Sequence, residues 1–257
     1  MSVTAPILEI FSSIQGEGLL LGERQIFLRL CGCNLDCAYC DTPAARSESP
    51  GCRIERSPGS QDFEDRANPL SVADITEAVR GLVKPQPGLH HSAALTGGEP
   101  LLHTDALLEL LPALGDLGLK AYLETNGTLA DDLVRVLPHL DVVCADIKLP
   151  SSTKQASLWG VHERFLLALV AHEDRTRLDF AKAVVSNHCD PDEIVTACQL
   201  ILGINAEMPL VLQPVTPTAP DITAPTAQQV LQLQAIAKRY LSNVRVIPQM
   251  HRLGGYL

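Results

Sequence analysis

The chain has 257 residues, with 30 acidic against 20 basic side chains and a formal net charge of −10 at pH 7. A negative long-range field repels phosphate backbones, so the composition argues against nucleic acid as a partner. The opening sequence MSVTAPILEIF lacks a signal-peptide pattern and no window reads as a membrane span, which predicts a cytoplasmic protein without a membrane partner. Eight cysteines in such a chain indicate metal binding rather than disulfides.

Strand and helix signals alternate along most of the chain. A strand is predicted over 24–30, and a helix begins after Ser71, a residue able to cap it. Further strands are predicted at 92–96, 119–124, 141–147, 180–185, 209–213 and 243–247. Further helices are predicted at 104–114, 131–138, 161–172, 191–202 and 226–241. This alternation predicts an α/β fold with parallel strands and outer helices.

Residues 43–70 interrupt the alternation. They are rich in Pro, Gly, Ser and charged residues and have no sustained hydrophobic period, which predicts a long mobile loop or lid outside the core. Apart from this insertion, residues 1–257 are predicted to form a single domain.

Polar or Gly-rich clusters follow seven of the predicted strands. In chain order they read CGCNLDCAYCDT, TGGEP, ETNGT, DIKLP, VVSN, QPVTPT and PQMH. Parallel α/β proteins bind their ligands where the strands end, and an open doubly wound sheet concentrates them near one switch point. Because all seven ends contribute here, the pattern favours a partial or closed barrel.

Cys33, Cys37 and Cys40 form a C-x3-C-x2-C motif in one predicted loop. Three thiolates can hold three corners of a 4Fe-4S cluster and leave one iron open to bind a small molecule. A structural zinc is the alternative interpretation, and it needs a fourth ligand, with Cys31, Cys52 or a histidine as candidates. The motif therefore predicts either a cluster with an open iron or a closed zinc site.

The three-cysteine motif, the aromatic Tyr39 and the run Gly97-Gly98-Glu99-Pro100 together resemble the radical S-adenosylmethionine (radical SAM) superfamily. That resemblance implies a partial or modified TIM-type (βα) barrel in which S-adenosylmethionine binds the open iron. The stretches FSSIQGEG, FLRLCGC and CDT, with a terminal Q-x-H-[KR], are similar to the 7-carboxy-7-deazaguanine synthase family. The similarity covers most of the chain except 43–70.

The family resemblance implies a ring contraction within 7-deazapurine (queuosine) biosynthesis. In that reaction 6-carboxy-5,6,7,8-tetrahydropterin becomes 7-carboxy-7-deazaguanine and ammonia is released. The implied cofactors are a 4Fe-4S cluster, S-adenosylmethionine and Mg²⁺, and a 5'-deoxyadenosyl radical does the chemistry, so no side chain is predicted to be catalytic. A flavodoxin- or ferredoxin-type reductant and a homodimer are implied as well.

The same resemblance implies roles for individual residues. The predicted substrate-binding residues are Ile14, Gln15, Gly16, Glu17, Arg29, Thr96, Gln249, His251 and Leu257. The predicted residues for S-adenosylmethionine are Tyr39, Gly97, Gly98, Glu99, Glu124, Thr125, Asn126, Asp146, Ile147, Lys148, Ser186, Gln213, Pro214 and Val215. Thr42 is the predicted Mg²⁺ ligand, since a hydroxyl suits a hard ion.

Several of these residues also have an ordinary structural interpretation. The guanidinium of Arg29 matches a substrate carboxylate, but it could instead pair with a buried acid such as Glu17. Glycines at 97 and 98 would let bare main chain approach a zwitterion. The sequences around Thr42 and over 124–127 are also typical of turns.

Two other functions fit part of the sequence. A glycyl-radical enzyme activase shares the cluster loop, although such activases commonly follow the last cysteine with His-Asn rather than Asp-Thr. A zinc-stabilised binding module or small electron carrier would explain the cysteines but not the other strand-end clusters.

Overall fold

The computed structural model describes residues 2–172, 176–217 and 222–256, where helices flank a ten-stranded sheet. The strands are β1 (Thr4–Ala5), β2 (Ile7–Ile14), β3 (Arg24–Leu30), β4 (Gly51–Glu55), β5 (Phe63–Ala67), β6 (Leu70–Ser71), β7 (Ser92–Gly97), β8 (Lys120–Thr125), β9 (Val142–Asp146), β10 (Leu178–Val185), β11 (Leu210–Pro214) and β12 (Val244–Val246). The helices are α1 (Val72–Val83), α2 (Thr104–Asp116), α3 (Ala130–Val136), α4 (Pro150–Thr153), α5 (Trp159–Ala171), α6 (Pro191–Ile204), α7 (Ala227–Ala237) and α8 (Met250–Gly254). Within these ranges no helix has the length and apolar character needed to cross a membrane.

The strand order of the main sheet is β12-β11-β10-β9-β8-β7-β3-β2-β4-β5, and β1 pairs with β6 separately. All neighbours from β3 through β7 to β12 are parallel, whereas β2 runs antiparallel to β3. Across the described ranges the order has two free edges, at β12 and β5, so the sheet is open. Of the two predicted architectures, a partial or a closed barrel, the open sheet agrees with the partial barrel.

The predicted helices and parallel strands are confirmed, with ends that differ by a few residues. Helix α1 begins where expected because the Ser71 hydroxyl accepts from the Asp74 amide at 3.1 Å, which satisfies one of the free amides of the first turn. Ile75 and Val79 of its apolar stripe are fully buried. Strand β2 and helices α4 and α8 lie in stretches for which the sequence predicts no element.

The prediction of a loop outside the core at 43–70 is wrong. These residues contain the antiparallel hairpin β4–β5, and β4 pairs with β2 to extend the main sheet. Cys52 and Ile54 are buried in the main core, and the Asn68 side chain bonds both the amide and the carbonyl of Ile7. β4 and β5 contribute only Cys52 and Ile54 to the main core, too few apolar residues to produce a recognisable pattern in a polar segment.

The two faces of the sheet have different packing. One face carries the large aliphatic core, to which α1, α2, α3, α5, α6 and α7 contribute buried residues. On the other face, the alternate residues of the same strands form a smaller cluster. In it the Phe11 and Phe27 rings stack with their centroids 5.1 Å apart, and the centroids of the Tyr122 and Phe180 rings are 6.4 Å apart. Side chains alternate between faces along a strand, so this aromatic layer lies on the inner face, below the strand ends.

Candidate active site

A cavity of about 410 Å³ lies where the parallel strands end. Its wall includes the predicted metal ligands Cys33, Cys37, Cys40 and Thr42, the predicted substrate residues Ile14, Gln15, Gly16, Glu17, Arg29, Thr96, Gln249 and His251, and the predicted cofactor residues Tyr39, Gly97, Gly98, Glu124, Thr125, Asn126, Asp146, Lys148, Gln213 and Val215. Leu257 lies outside the described residues. The expected convergence of the strand-end clusters is thus found in the fold.

Four predicted cofactor residues are not part of the cavity wall: Glu99, Ile147, Ser186 and Pro214. Ile147 is 1% exposed and belongs to the main core, and Ser186 is equally buried with its hydroxyl 3.3 Å from that of Ser152. These side chains are directed into the protein. Direct contact of any of the four with S-adenosylmethionine stays a prediction.

The cysteine loop is held from several sides. Within it the Cys40 amide donates to the Cys37 carbonyl at 3.1 Å, and Arg46 donates through Nη2 to the same carbonyl at 2.7 Å. The Asn126 side-chain amide lies 4.0 Å from the Cys33 sulfur. Burial raises the pKa of the Cys33 and Cys37 thiols. A metal that binds thiolates has to displace these protons.

The backbone packing of the protein requires glycine at positions 97 and 98, independently of any ligand. Gly97 has φ of +120°, and a Cβ there would collide with the Leu30 backbone. A Cβ on Gly98 would collide with the carbonyl of Gly32, which precedes the first motif cysteine. The two glycines therefore let the end of β7 lie directly against the start of the cysteine loop.

Glu99 connects two strand ends. Its carboxylate accepts from the Leu101 amide at 3.1 Å, the Thr125 hydroxyl at 2.8 Å and the Asn126 amide at 2.7 Å. The side chain is fully buried, and burial raises its pKa to about 7 despite these donors. Glu99 thus fixes the loop after β8 against the loop after β7.

Two lysines and two carboxylates alternate along one side of the cavity. Lys148 Nζ lies 2.8 Å from Asp146 Oδ2 and 5.4 Å from the centre of the Tyr39 ring. Lys182 Nζ lies 2.8 Å from Glu17 Oε2 and 3.9 Å from Asp146. Burial disfavours each ammonium, but the carboxylates outweigh it and hold the pKa of both lysines well above the ordinary value.

The last turn of the chain closes over the first part of the cavity wall. Gln249 donates through Nε2 to Glu17 at 2.8 Å and to Asp41 at 2.7 Å, and the Met250 amide donates to the Gly16 carbonyl at 2.9 Å. A Cβ on Gly16 would collide with His251, so glycine is needed for this approach. Single ligand atoms of Glu17, Asp41 and His251 lie within 4.8 Å of one another.

Arg29 lines the cavity, but it also has an acidic partner. Its Nε donates to Glu9 Oε1 at 2.9 Å, and Glu9 pairs with Arg53 through its other oxygen. The partner is therefore Glu9 and not Glu17. Since Glu9 lines the cavity as well, the ion pair orients the guanidinium at the wall rather than removing it into the core.

Several residues of this site carry no sequence motif. Lys182 could have been found as the single charge in the buried strand segment FAKAVV, on the same face as Phe180. His162, on α5, accepts from the Lys148 amide at 3.0 Å and donates to the Gly127 carbonyl at 3.1 Å, and burial lowers its pKa to about 4. No local signal in the sequence marks His162.

Comparison with known proteins identifies the family. The family model of the Radical SAM superfamily matches residues 28–208. The 7-carboxy-7-deazaguanine synthase of Geobacter sulfurreducens is 45% identical over 253 residues, covering 98% of both chains, and that of Methanothermobacter thermautotrophicus is 36% identical over 98% of this chain and 97% of its own. The chain belongs to the 7-carboxy-7-deazaguanine synthase family of the radical SAM superfamily.

Membership of the synthase family confirms the predicted enzyme class and sets aside the activase and zinc-module alternatives. Among solved structures, QueE from Escherichia coli superposes with a TM-score of 0.63 at 24% identity, covering 96% of this chain and 94% of its own, which shows the shared fold. The cofactors of the family are a 4Fe-4S cluster, S-adenosylmethionine and Mg²⁺.

The residues of this cavity suit the synthase cofactors. Three thiols from one loop face the same cavity, with no fourth cysteine in its wall among the described residues. Within those residues, Asp146 Oδ1 and Gln213 Oε1 are buried without a hydrogen-bond partner. Buried acceptors of this kind suit a ligand that brings donors, such as the amino and hydroxyl groups of S-adenosylmethionine. Thr42 and Asp41 offer the oxygen ligands that Mg²⁺ prefers.

Proposed function

We propose that this chain converts 6-carboxy-5,6,7,8-tetrahydropterin into 7-carboxy-7-deazaguanine and ammonia, a step of 7-deazapurine (queuosine) biosynthesis. The observation that carries the proposal is the 45% identity to a 7-carboxy-7-deazaguanine synthase over 98% of both chains. The cavity supports it, because three cluster thiols, a polar strand-end wall and a cationic side chain meet in one space.

The cofactor half of the site is formed by the cysteine loop and the ends of β7 to β11. When bound, the reduced cluster and S-adenosylmethionine supply a 5'-deoxyadenosyl radical that abstracts hydrogen from the pterin. Cys33, Cys37 and Cys40 would hold the cluster, and Gly97 and the other predicted cofactor residues in the wall would bind S-adenosylmethionine. The main-chain groups at the end of β7 and the unpartnered oxygens of Asp146 and Gln213 support this placement.

The pterin half is formed by β2, β3 and the last turn of the chain. Arg29 would bind the substrate carboxylate, because a guanidinium oriented by Glu9 retains further N–H groups for a second acceptor. Glu17 would accept from the pyrimidine amino group, and Gln249 and His251 would close this side. Thr42 would bind Mg²⁺ beside the substrate carboxylate.

The reaction needs an external electron donor, and we assign that role to a flavodoxin- or ferredoxin-type protein. We further propose that residues 1–257 act as one domain, because one sheet continues from β12 to the β4–β5 hairpin of the insertion. We also propose a homodimer in the cytoplasm without a membrane partner, and the net charge of −10 argues against a nucleic-acid partner.

An anaerobic assay of the reconstituted protein tests the function directly. The protein is mixed with the carboxylated pterin, S-adenosylmethionine, Mg²⁺ and a chemical reductant, and products are identified by mass spectrometry. We expect 7-carboxy-7-deazaguanine and ammonia in equal amounts, and no product with a Cys33→Ala/Cys37→Ala/Cys40→Ala variant. Release of 5'-deoxyadenosine without deazaguanine would retain the superfamily and reject the proposed substrate.

A further inference from the structure

Lys182 is a charged residue of the cavity wall to which the proposed function assigns no role. Its side chain is 9% exposed, and it projects from β10 at the level where that strand faces the cavity. A buried ammonium destabilises a fold unless carboxylates and hydrogen bonds compensate for its lost hydration. Lys182 has two such partners, Glu17 at 2.8 Å and Asp146 at 3.9 Å, and both also line the cavity.

The position of Glu17 explains why this pairing matters. Glu17 follows the turn after β2 and belongs to no strand, so side chains have to fix its carboxylate. Lys182 bonds Oε2 and Gln249 bonds Oε1, from two elements that lie far from Glu17 in the sequence. Each oxygen keeps a second lone pair for a ligand. Burial by itself would raise the pKa of Glu17, yet Lys182, Gln249 and His251 lower it to about 2.

We infer that Lys182 is a positioning residue for substrate recognition: it holds the Glu17 carboxylate where the amino edge of the pyrimidine ring would bind. This inference rests on the proposed function, in which Glu17 contacts the pterin. Lys182 also approaches Asp146, at the end of β9 on the cofactor side. It therefore lies between the two halves of the site and fixes the substrate half relative to the cofactor half.

The test measures steady-state turnover of pterin by the cluster-loaded enzyme. Lys182→Met should raise KM for the pterin about ten- to a hundredfold, the worth of one hydrogen bond to a charged group, while kcat changes less. Affinity for S-adenosylmethionine, from equilibrium dialysis, should stay within about twofold of wild type. Lys182→Arg should restore most of the substrate affinity, because it retains a cation at the same place. As a control, Lys120→Met removes an exposed lysine at the start of β8, the end of that strand away from the cavity, and this variant should behave as wild type.

A double-mutant cycle separates a role through Glu17 from a general structural role. If Lys182 acts through Glu17, then Lys182→Met added to Glu17→Gln should change KM by no more than about twofold. The double variant also avoids an unpaired buried carboxylate, so it keeps the test decisive if Lys182→Met alone does not fold. The inference would be overturned if KM of Lys182→Met lay within about twofold of wild type, or if the effects of Lys182→Met and Glu17→Gln on KM were fully additive. In either case, product formation by the wild-type enzyme would leave the proposed function intact. Wild-type enzyme that forms no deazaguanine would reject both.

Discussion

Three buried polar side chains, Glu99, His162 and Lys182, connect segments of the site that are distant in the sequence. Glu99 joins the loops after β7 and β8, and His162 joins the loops after β8 and β9. Lys182 joins the end of β9 to the turn after β2. Each satisfies buried main-chain or carboxylate groups that would otherwise be costly. Together they turn separate strand ends into one wall.

Arg46 has a comparable role at the cysteine loop. Its guanidinium donates to the Cys37 carbonyl and pairs with Asp36, and its Nε is buried without a partner among the described residues. A positive charge here favours the more negative, reduced state of a bound cluster. We expect Arg46→Gln to lower the midpoint potential by on the order of 50 mV, measured by redox titration followed with electron paramagnetic resonance.

Two control variants make the Arg46 measurement specific. Arg46→Lys keeps the charge and should retain most of the potential, and Arg56→Gln removes a charge from the same insertion outside the cavity wall. The iron content of each variant is measured first, so that loss of the cluster is not mistaken for a shift. An unchanged potential in a fully loaded Arg46→Gln protein would show that this arginine only holds the loop.

At the scale of elements, the β4–β5 hairpin is a part of the fold that the sequence pattern does not predict. β4 pairs with β2, and β2 leads directly into the turn at Gln15 and Gly16, which we propose contacts the substrate. The hairpin therefore supports the site from the outer edge of the sheet. Its inward residues Cys52 and Ile54 belong to the main core, so it is a structural extension rather than a separate appendage.

A core substitution in the hairpin tests that role. Ile54→Ala should lower the free energy of unfolding by about 2 to 4 kcal/mol, because it removes three buried carbons and leaves a cavity. Urea denaturation of the anaerobic holoprotein measures this. Val134→Ala, at a side chain that is 51% exposed, should change stability by less than about 0.5 kcal/mol. A loss below about 1 kcal/mol for Ile54→Ala would place the hairpin outside the cooperative core.

At the scale of the whole molecule, the segment that follows β2 and the C-terminal helix α8 meet at the cavity. The first long strand, β2, ends at Ile14, and the following Gly16 accepts from the Met250 amide at the start of α8. Gln249 links the same region to Asp41 beside the cysteine loop. These contacts bring the segment after β2, the cysteine loop and the C-terminal segment together at the part of the cavity that we propose binds the pterin.

Removal of residues 250–257 tests this closure. No residue of α8 is buried, so the truncated protein should fold and retain iron and S-adenosylmethionine binding. Its KM for the pterin should rise more than about tenfold, since the contacts to Gly16 and from His251 are lost. Leu253→Ala, at a side chain 75% exposed, is the matched control and should behave as wild type. Unchanged KM in the truncated enzyme would show that α8 does not form part of the substrate site.

The sequence alone predicts the cysteine motif, the parallel strands from β3 to β12 and the face at which the polar clusters meet. Each of these depends on local spacing or on the direction of parallel strands, which a single chain displays in its periodicity. The order of the strands, the pairing of β4 with β2 and the open edge depend on contacts between distant segments. Only the tertiary structure decided those.

The same division holds within the site. Cys33, Cys37 and Cys40 lie within one stretch of eight residues, so the sequence alone predicts that they bind the same metal centre. Lys182 and Glu17 are 165 residues apart, and the partner of Arg29 is Glu9 rather than Glu17. A buried charge selects its partner by distance and desolvation in the packed protein, and neither quantity is encoded in local sequence patterns.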